Sequence, residues 1–446
     1  MTTQTSDRDS ARHNRQVFLY FGPLTLLVYL VLPNGQLLDI ATSYMLKNQL
    51  HATATQVSTF RLLTGVPVYV AFVFGLARDL WNPLGLRDRG FFLVFAPMTV
   101  AVFLWMALSP LSYAGLFAGM LLVMVSSRFV LAAYQGLLAL VAQEQLMSGR
   151  LSALWNVCNS LPAVGGAFAA GYVAEHVPPR TTFVLVAVLT ALIAWLGWWK
   201  PRAVFSHAYD QPQARGAGLV GDLKRLVRHR AIYPAVLLMF MFQFGPGLNT
   251  PLQFYLSNQL HAPDAIYGYW SGIFAGAFIP VFMLYGYLCR KVSLRKLLWW
   301  GTAIMVPQVL PMAFIHSVTT ALWLAVPVGM LGAICYAALC DLAMRSCPPG
   351  LQGTLMMMVA GVYELAGRGG DLLGARIYNS DPVNGFLYCA LVTMAVYALM
   401  LPVLLLVPKA LLATADGERN PELDAELLAE IGVAPEPAVV PVPAAR

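Results

Sequence analysis

The 446 residues are 59% hydrophobic and 11% charged, with mean hydropathy +0.66. A soluble chain of this length would form about three domains of roughly 150 residues, with about 45–50% apolar and 25% charged residues. A water-soluble multidomain protein is therefore excluded. The net charge of +7 does not point to nucleic acid, because no basic cluster is interleaved with aromatics in a polar domain. In a membrane protein a basic excess marks cytoplasmic loops.

Residues 1–16 are polar, with Arg8, Arg12 and Arg15, and read as a cytoplasmic segment. The apolar block that follows is too long for the core of a cleaved signal. Twelve blocks of about 20 residues, the length that crosses a hydrocarbon core, follow in order. They lie at about 17–41, 56–78, 91–109, 112–140, 151–174, 181–199, 231–256, 267–289, 297–315, 319–342, 353–375 and 385–407, here α1 to α12. The expected fold class is all-α, a polytopic membrane protein of two six-helix bundles, 17–199 and 231–407. Between them lies a basic linker, 200–230, whose stretch from Val220 to Arg230 reads as a surface amphipathic helix or a solvated connection. A cytoplasmic tail, 408–446, reads as largely disordered, with a short helix opening at Pro421.

With the N-terminus inside, cytoplasmic segments hold 22 of the 28 Lys and Arg residues. Outer loops hold Lys47, Arg180 and Arg376, while Arg61, Arg128 and Arg368 fall inside helices. This asymmetry predicts both termini cytoplasmic, in an inner or plasma membrane.

The chain contains an internal repeat. Asn48-Gln49-Leu50-His51-Ala52 recurs as Asn258-Gln259-Leu260-His261-Ala262, after α1 and after α7. Gly35 aligns with Gly245 at the same offset, and Gly75 with Gly286 after one residue of slip. Parallel repeats of six helices place the solute site at the seam near the bilayer midplane. Both repeat-leading helices are interrupted, α1 at Pro33, Asn34 and Gly35, and α7 at Gly245, Pro246 and Gly247. Irregular backbone at membrane depth must face protein or a wet cavity.

Ionisable residues at depth cost at least about 2.5–3.5 kcal/mol near a helix centre. Glu364, Arg368 and Asp371 share one face of α11 at spacings of four and three, so Arg368 is expected to pair with either carboxylate. Arg128 in α4, Arg61 in α2 and Asp39 in α1 complete six charges that sum to zero. A static buried network and a transport-coupled one both satisfy that sum. If coupled, Glu364 or Asp39 carries the proton, as carboxyl groups do in membrane proton relays. Tyr134, Gln135, Asn156, Asn159, Gln243, Asn249 and Tyr363 are polar groups expected along the seam, and Asp341 and Arg345 an i,i+4 pair. Small residues of α5 (Gly165, Gly166, Ala167, Ala169, Ala170, Gly171) permit close helix packing.

The six cysteines show no CxxC and no His pairing, the histidines lie at helix ends or loops, and no Gly-rich phosphate loop is present. No metal, no cofactor and no enzyme activity are expected.

The loop between α2 and α3 carries Gly75, Asp79, Gly85, Arg87 and Arg89 in an order that resembles the signature of the major facilitator superfamily. Its long Asp-to-Gly spacing is similar to the folate–biopterin transporter branch, and Pro67 before it to the muropeptide permease branch. Both branches carry a Lys where this chain has Ala71. A degenerate copy, with Arg290 and Lys291, follows Gly286, and residues 347–354 also resemble these branches. The resemblance implies a conformational latch in which Asp79 pairs with Arg87 or Arg89. It implies a secondary active transporter working by alternating access, with a small organic solute, protons and the bilayer as partners, acting as a monomer. The alternative is a facilitator-like assembly or sensor protein that transports nothing; intact function after neutralising Glu364 and Arg128 would favour it.

Overall fold

The computed structural model describes residues 2–205, 219–246, 250–263, 265–381 and 384–418. Among these residues there is no strand. The helix α1 runs over Thr2–Val31, breaks at 32–35, and resumes at Gln36–Tyr44. Pro33 has no N–H to give the ladder, and the chain re-enters the helix when Asp39 N donates to Gly35 O at 3.0 Å. The helix α2 follows in three pieces, Ala54–Thr64, Val66–Tyr69 and Ala71–Leu80. A capping box at Thr53 and Gln56 satisfies its first orphan amides. Then come α3 (Asp88–Leu108), α4 (Tyr113–Glu144), α5 (Ser148–His176) and α6 (Pro179–Trp198). In the second half α7 is Ile232–Gln243, resuming at Thr250–Phe254. It is followed by α8 (Ala265–Leu288), α9 (Leu294–Met305), α10 (Val318–Arg345), α11 (Gln352–Ser380) and α12 (Gly385–Val403). Beyond Met305, α9 tightens to 3-10 geometry over Val306–Phe314, where Pro307 and Pro311 remove ladder donors.

Eight helices among the described residues are long and apolar enough to cross a membrane. The four expected spans that fail this test are α1, α5, α7 and α11. Two are broken, α11 carries Glu364, Arg368 and Asp371, and the side chains of α5 are not described over residues 169–175. These helices face the interior seam, where a wet cavity relaxes the demand for apolar side chains. The outer surfaces of the other helices are bare and apolar, as at Trp195 on α6, Trp300 on α9 and Trp323 on α10.

The duplication is visible in the backbone. Met45–Gln49 and Tyr255–Gln259 are both π-helical, and each ends at a histidine in the left-handed region, His51 at φ 49° and His261 at φ 50°. Ala52 N donates to Leu46 O at 2.8 Å, and Ala262 N to Leu256 O at 2.9 Å. The halves meet where α2 and α4 pack on α11, and where α5 packs on α8.

The N-terminal segment, the linker and the start of the tail share one face, here the termini face. His13 bonds Gln145, and Gln145 Nε2 donates to Ala203 O at 2.6 Å. The linker does form a helix, Leu219–Arg228; Arg225 donates to Pro349 O and His229 bonds Ser346 O, so it docks on the α10–α11 loop. The tail expectation needs correction at its start. Lys409–Leu412 is helical and Asp416 is buried, because its carboxylate finds partners on α5. The helix expected from Pro421 lies outside the described residues.

Candidate functional site

Seven helices from both halves enclose a cavity of about 270 Å³. Its wall is aromatic at Tyr29, Trp155, Tyr336 and Tyr363, and polar at Arg128, Gln135, Asn159 and Glu364. Arg128 is buried; its NH2 donates to Asn34 Oδ1 at 2.6 Å, at the break in α1. Its Nε has no partner. Gln135, two turns along the same face of α4, donates to Tyr29 Oη at 3.2 Å, and its Oε1 also has no partner. Tyr29 Oη accepts a second bond from Trp155 Nε1 at 2.9 Å. A buried polar atom without a partner costs about 1–3 kcal/mol. Arg128 and Gln135 thus bring to the cavity wall side chains that each keep one hydrogen-bonding atom unmet. Glu364 reaches the same cavity from the other half; its charge acts on Arg128, with no ion pair between them.

A second cavity, of about 190 Å³, lies farther from the termini face. Asn34, Val68 and Glu364 line both cavities, so Glu364 stands where they meet. Asp39 and Arg61 pair across it at 3.3 Å, with side chains 47% and 53% exposed, and Arg61 also donates to Ser43 Oγ at 2.7 Å. Arg368 lines it too and is exposed. The expected pairing within α11 does not occur: among the described residues, Arg368 forms no ion pair with Glu364 or Asp371. Asp371 turns instead to the resumed part of α7, where Thr250 N donates to its Oδ1 at 3.4 Å. The break in α7 leaves amides without helical partners, and this carboxylate answers one of them. The structure thus gathers five of the six helix charges around two adjoining cavities and sets the sixth, Asp371, apart.

On the termini face the seam is shut. Asp79, at the end of α2, accepts from Gly353 N (3.1 Å), Thr354 N (2.7 Å) and Thr354 Oγ1 (2.6 Å), the first turn of α11. A carboxylate belongs there, since a helix N-terminus presents free amides and the positive end of its dipole. Its basic partner is Arg78 at 2.7 Å, which corrects the expectation of Arg87 or Arg89. Arg78 also grips both oxygens of Asp88, at 2.5 and 2.7 Å. Arg89 turns away to Gly197 O and Trp198 O. The loop coils through left-handed geometry at Leu84, Gly85 and Arg87, which aims Arg87 N at Asn82 Oδ1 (2.6 Å). Gln143 Nε2 adds a bond to Cys347 O at 2.7 Å between the halves. In the degenerate copy, Arg290 and Lys291 are exposed, and Lys291 bonds Tyr287 on its own helix. Asp341 and Arg345 form the expected pair at 2.8 Å, and Tyr285 Oη also donates to Asp341.

Of the remaining seam residues, Asn159 and Tyr363 line the central cavity, while Tyr134 is bonded to Thr25 inside the first half. Asn156 donates to Ser152 O, one turn back on its own helix. Gln243 lies against Gly367. Asn249 and Gly247 lie outside the described residues. Sequence reasoning missed Arg78 and Asp88, whose signal is a helix-terminal Arg with two acids inside ten residues. It also missed Tyr29 and Trp155, which carry no charge to mark them.

A family model described as Major Facilitator Superfamily matches residues 17–370. The "Folate-biopterin transporter" of Synechocystis sp. (strain ATCC 27184 / PCC 6803 / Kazusa) is 23% identical over 359 residues, which cover 77% of this chain and 71% of that one. Among solved structures, the proton:xylose symporter XylE, bound to 6-bromo-6-deoxy-D-glucose, superposes with TM-score 0.67 at 13% identity, covering 93% of this chain and 100% of its own. The transporter FucP, in its outward conformation, gives 0.64 at 15% identity, covering 88% and 98%. These structural likenesses carry the twelve-helix fold. The chain belongs to the Major Facilitator Superfamily: it is an integral membrane transporter of a small-molecule solute, not an enzyme.

Proposed function

We propose that the protein is a proton-coupled secondary transporter that works by alternating access as a monomer, with both termini cytoplasmic. The solute sits in the central cavity between Arg128 and Glu364. The observation that carries this reading is the Arg128 guanidinium, buried with Nε unpartnered, at a cavity between the halves whose termini side is held shut by Asp79. A small organic anion with a planar body fits it best. Its acid group meets Arg128, and its ring stacks among Tyr29, Trp155, Tyr336 and Tyr363. The name of the folate–biopterin relative supports a solute of this kind. The outer cavity leads protons past Asp39 and Arg61 to Glu364. With Glu364 neutral, Arg128 is left to the solute anion, which ties solute binding to the proton. Import follows, since the outward-accessible form loads both.

The test is uptake of radiolabelled pterins and folates into vesicles bearing an imposed proton gradient. A protonophore should abolish accumulation, and Glu364→Gln should leave only downhill exchange. Accumulation that ignores the proton gradient would rule out Glu364 as the coupling group.

A further inference from the structure

The duplication pairs α2 with α8 and α11 with α5. In the first latch, Gly353 on α11 lies against Arg78, a Cβ added there falling 2.7 Å from Arg78 Cδ, and Asp79 receives the Gly353 amide. Aligning Gly75 with Gly286 puts Cys289 in the place of Arg78 and Arg290 in the place of Asp79. The first correspondence is kept in space. Gly149 on α5 lies against Cys289, an added Cβ falling 2.7 Å from its Cβ. The second is broken, because Arg290 is exposed and has no acceptor to offer. Yet the Gly149 amide is answered. It donates to Asp416 Oδ1 at 2.9 Å, and Arg150 Nε donates to Asp416 Oδ2 at 2.5 Å.

We propose that tail residues 414–416 form the latch of the second half, with Asp416 supplying the carboxylate that α8 lacks at Arg290. The tail is fastened to its own half: Asp416 N donates to Cys289 O at 2.9 Å, and Arg345 NH1 to Thr414 O at 3.0 Å. The bonds from Gly149 and Arg150 therefore cross between the halves and break when the termini face opens. Asp79 rides on a membrane helix and moves only with it. Asp416 rides on a segment outside the twelve helices, so closure of this face depends on the seating of the tail as well as on the solute. The inference rests on the alternating-access reading.

Cys347 reports the state of that face, being buried with its carbonyl bonded to Gln143 across the seam. Its alkylation by a water-soluble maleimide is followed by peptide mass spectrometry on the purified full-length protein. Asp416→Ala should speed labelling at least about tenfold, since it removes two charge-assisted bonds and a single one is worth about that factor. Arg150→Ala, a milder change that leaves the tail's own fastening intact, should speed it severalfold. Adding Arg290→Asp to Asp416→Ala should restore protection, by returning an acid to the place that matches Asp79. Labelling needs no solute, so faster labelling in a protein that accumulates nothing retires the transport reading and leaves the tail latch standing. Unchanged labelling in both alanine variants, or no recovery with Arg290→Asp in a variant that still melts like the parent, overturns the proposal.

Discussion

Gly75 offers the sharpest test of whether the shut face is a moving contact. A Cβ at this position would stand 2.3 Å from Gly353 O, 2.7 Å from Gly353 C and 2.8 Å from Thr354 Cα, where real Cβ contacts stay beyond 3.0 Å. All three are backbone atoms, in the turn of α11 that Asp79 holds. No rotamer change relieves them; α2 and α11 must part. Overpacking of this kind costs about 1–3 kcal/mol, and Gly75→Ala bears that cost only while the face is shut. The closed-to-open ratio should therefore fall by about 5- to 150-fold. Hydrogen exchange reads this directly, because the Gly353 and Thr354 amides are protected by Asp79 and by no helical partner. Their exchange in full-length Gly75→Ala should quicken by that factor. The control is Gly374→Ala. A Cβ there meets Pro246 O at 1.9 Å, but α7 and α11 belong to one half, so the strain persists in both conformations. It should lower the apparent Tm and leave exchange at 353–354 unchanged. If Gly75→Ala behaves like Gly374→Ala, the contact is static and takes no part in opening this face.

Two further outcomes follow from the termini face. Arg78→Lys keeps the charge but not the fork that serves both oxygens of Asp88 and one of Asp79. Leaving buried carboxylates underpaired costs about 3–5 kcal/mol, so the apparent Tm should drop by several degrees, and an unchanged Tm would refute the pairing. Asp416 gives a pH signature. Burial, helped by the Asp341 charge, raises its pKa above the usual carboxylate range against the pull of Arg150. A raised acid pKa means the proton binds more tightly in the docked form. The proton-linked part of its contribution to docking is therefore full below about pH 4 and is lost as pH rises through the raised value, leaving the bonds from Gly149 and Arg150. The Gly149 bond survives protonation because the acid's carbonyl still accepts. The Tm gap between the protein and Asp416→Ala should widen as the pH is lowered toward the ordinary carboxylate range; a gap that narrows contradicts the assignment.

The fold was legible because the twelve apolar blocks and the repeat both report on backbone. The two five-residue copies specify the same π-turn ending in a left-handed histidine, a local structure that needs no long-range partner. The buried charges were equally plain, since Arg128 and Glu364 interrupt apolar runs. Their partners were not. Spacing puts Arg368 beside Glu364 and Asp371 on one helix face, but side-chain direction was decided by a cavity and by the orphan amides of a broken neighbour. Arg78 looked like one more positive charge at a helix end. Asp416 lay in a tail whose composition suggests disorder, and only the far-away amide of Gly149 gives it a place.

The chain treats its buried charges in two ways, and the contrast bears on what the central pair is for. Around Arg78 every charge is answered: the guanidinium meets two carboxylates, and Asp79 collects three further bonds from α11. Around Arg128 the structure leaves Nε unpartnered and keeps Glu364 out of contact. A network selected for stability would close that gap, since an unmet buried donor costs about 1–3 kcal/mol. A site selected for a ligand keeps it open and carries the cost in the free protein. Sites of this kind trade stability for activity. Replacing both groups at once, Arg128→Met with Glu364→Gln, removes the uncompensated charge without leaving its partner stranded, a change that stabilises proteins by about 1–4 kcal/mol when the buried pair serves no structural purpose. The double variant should therefore melt several degrees higher than the parent and accumulate no solute. A lower melting temperature would mean that Arg128 and Glu364 hold the helices together, and the central cavity would lose its claim to be the solute site.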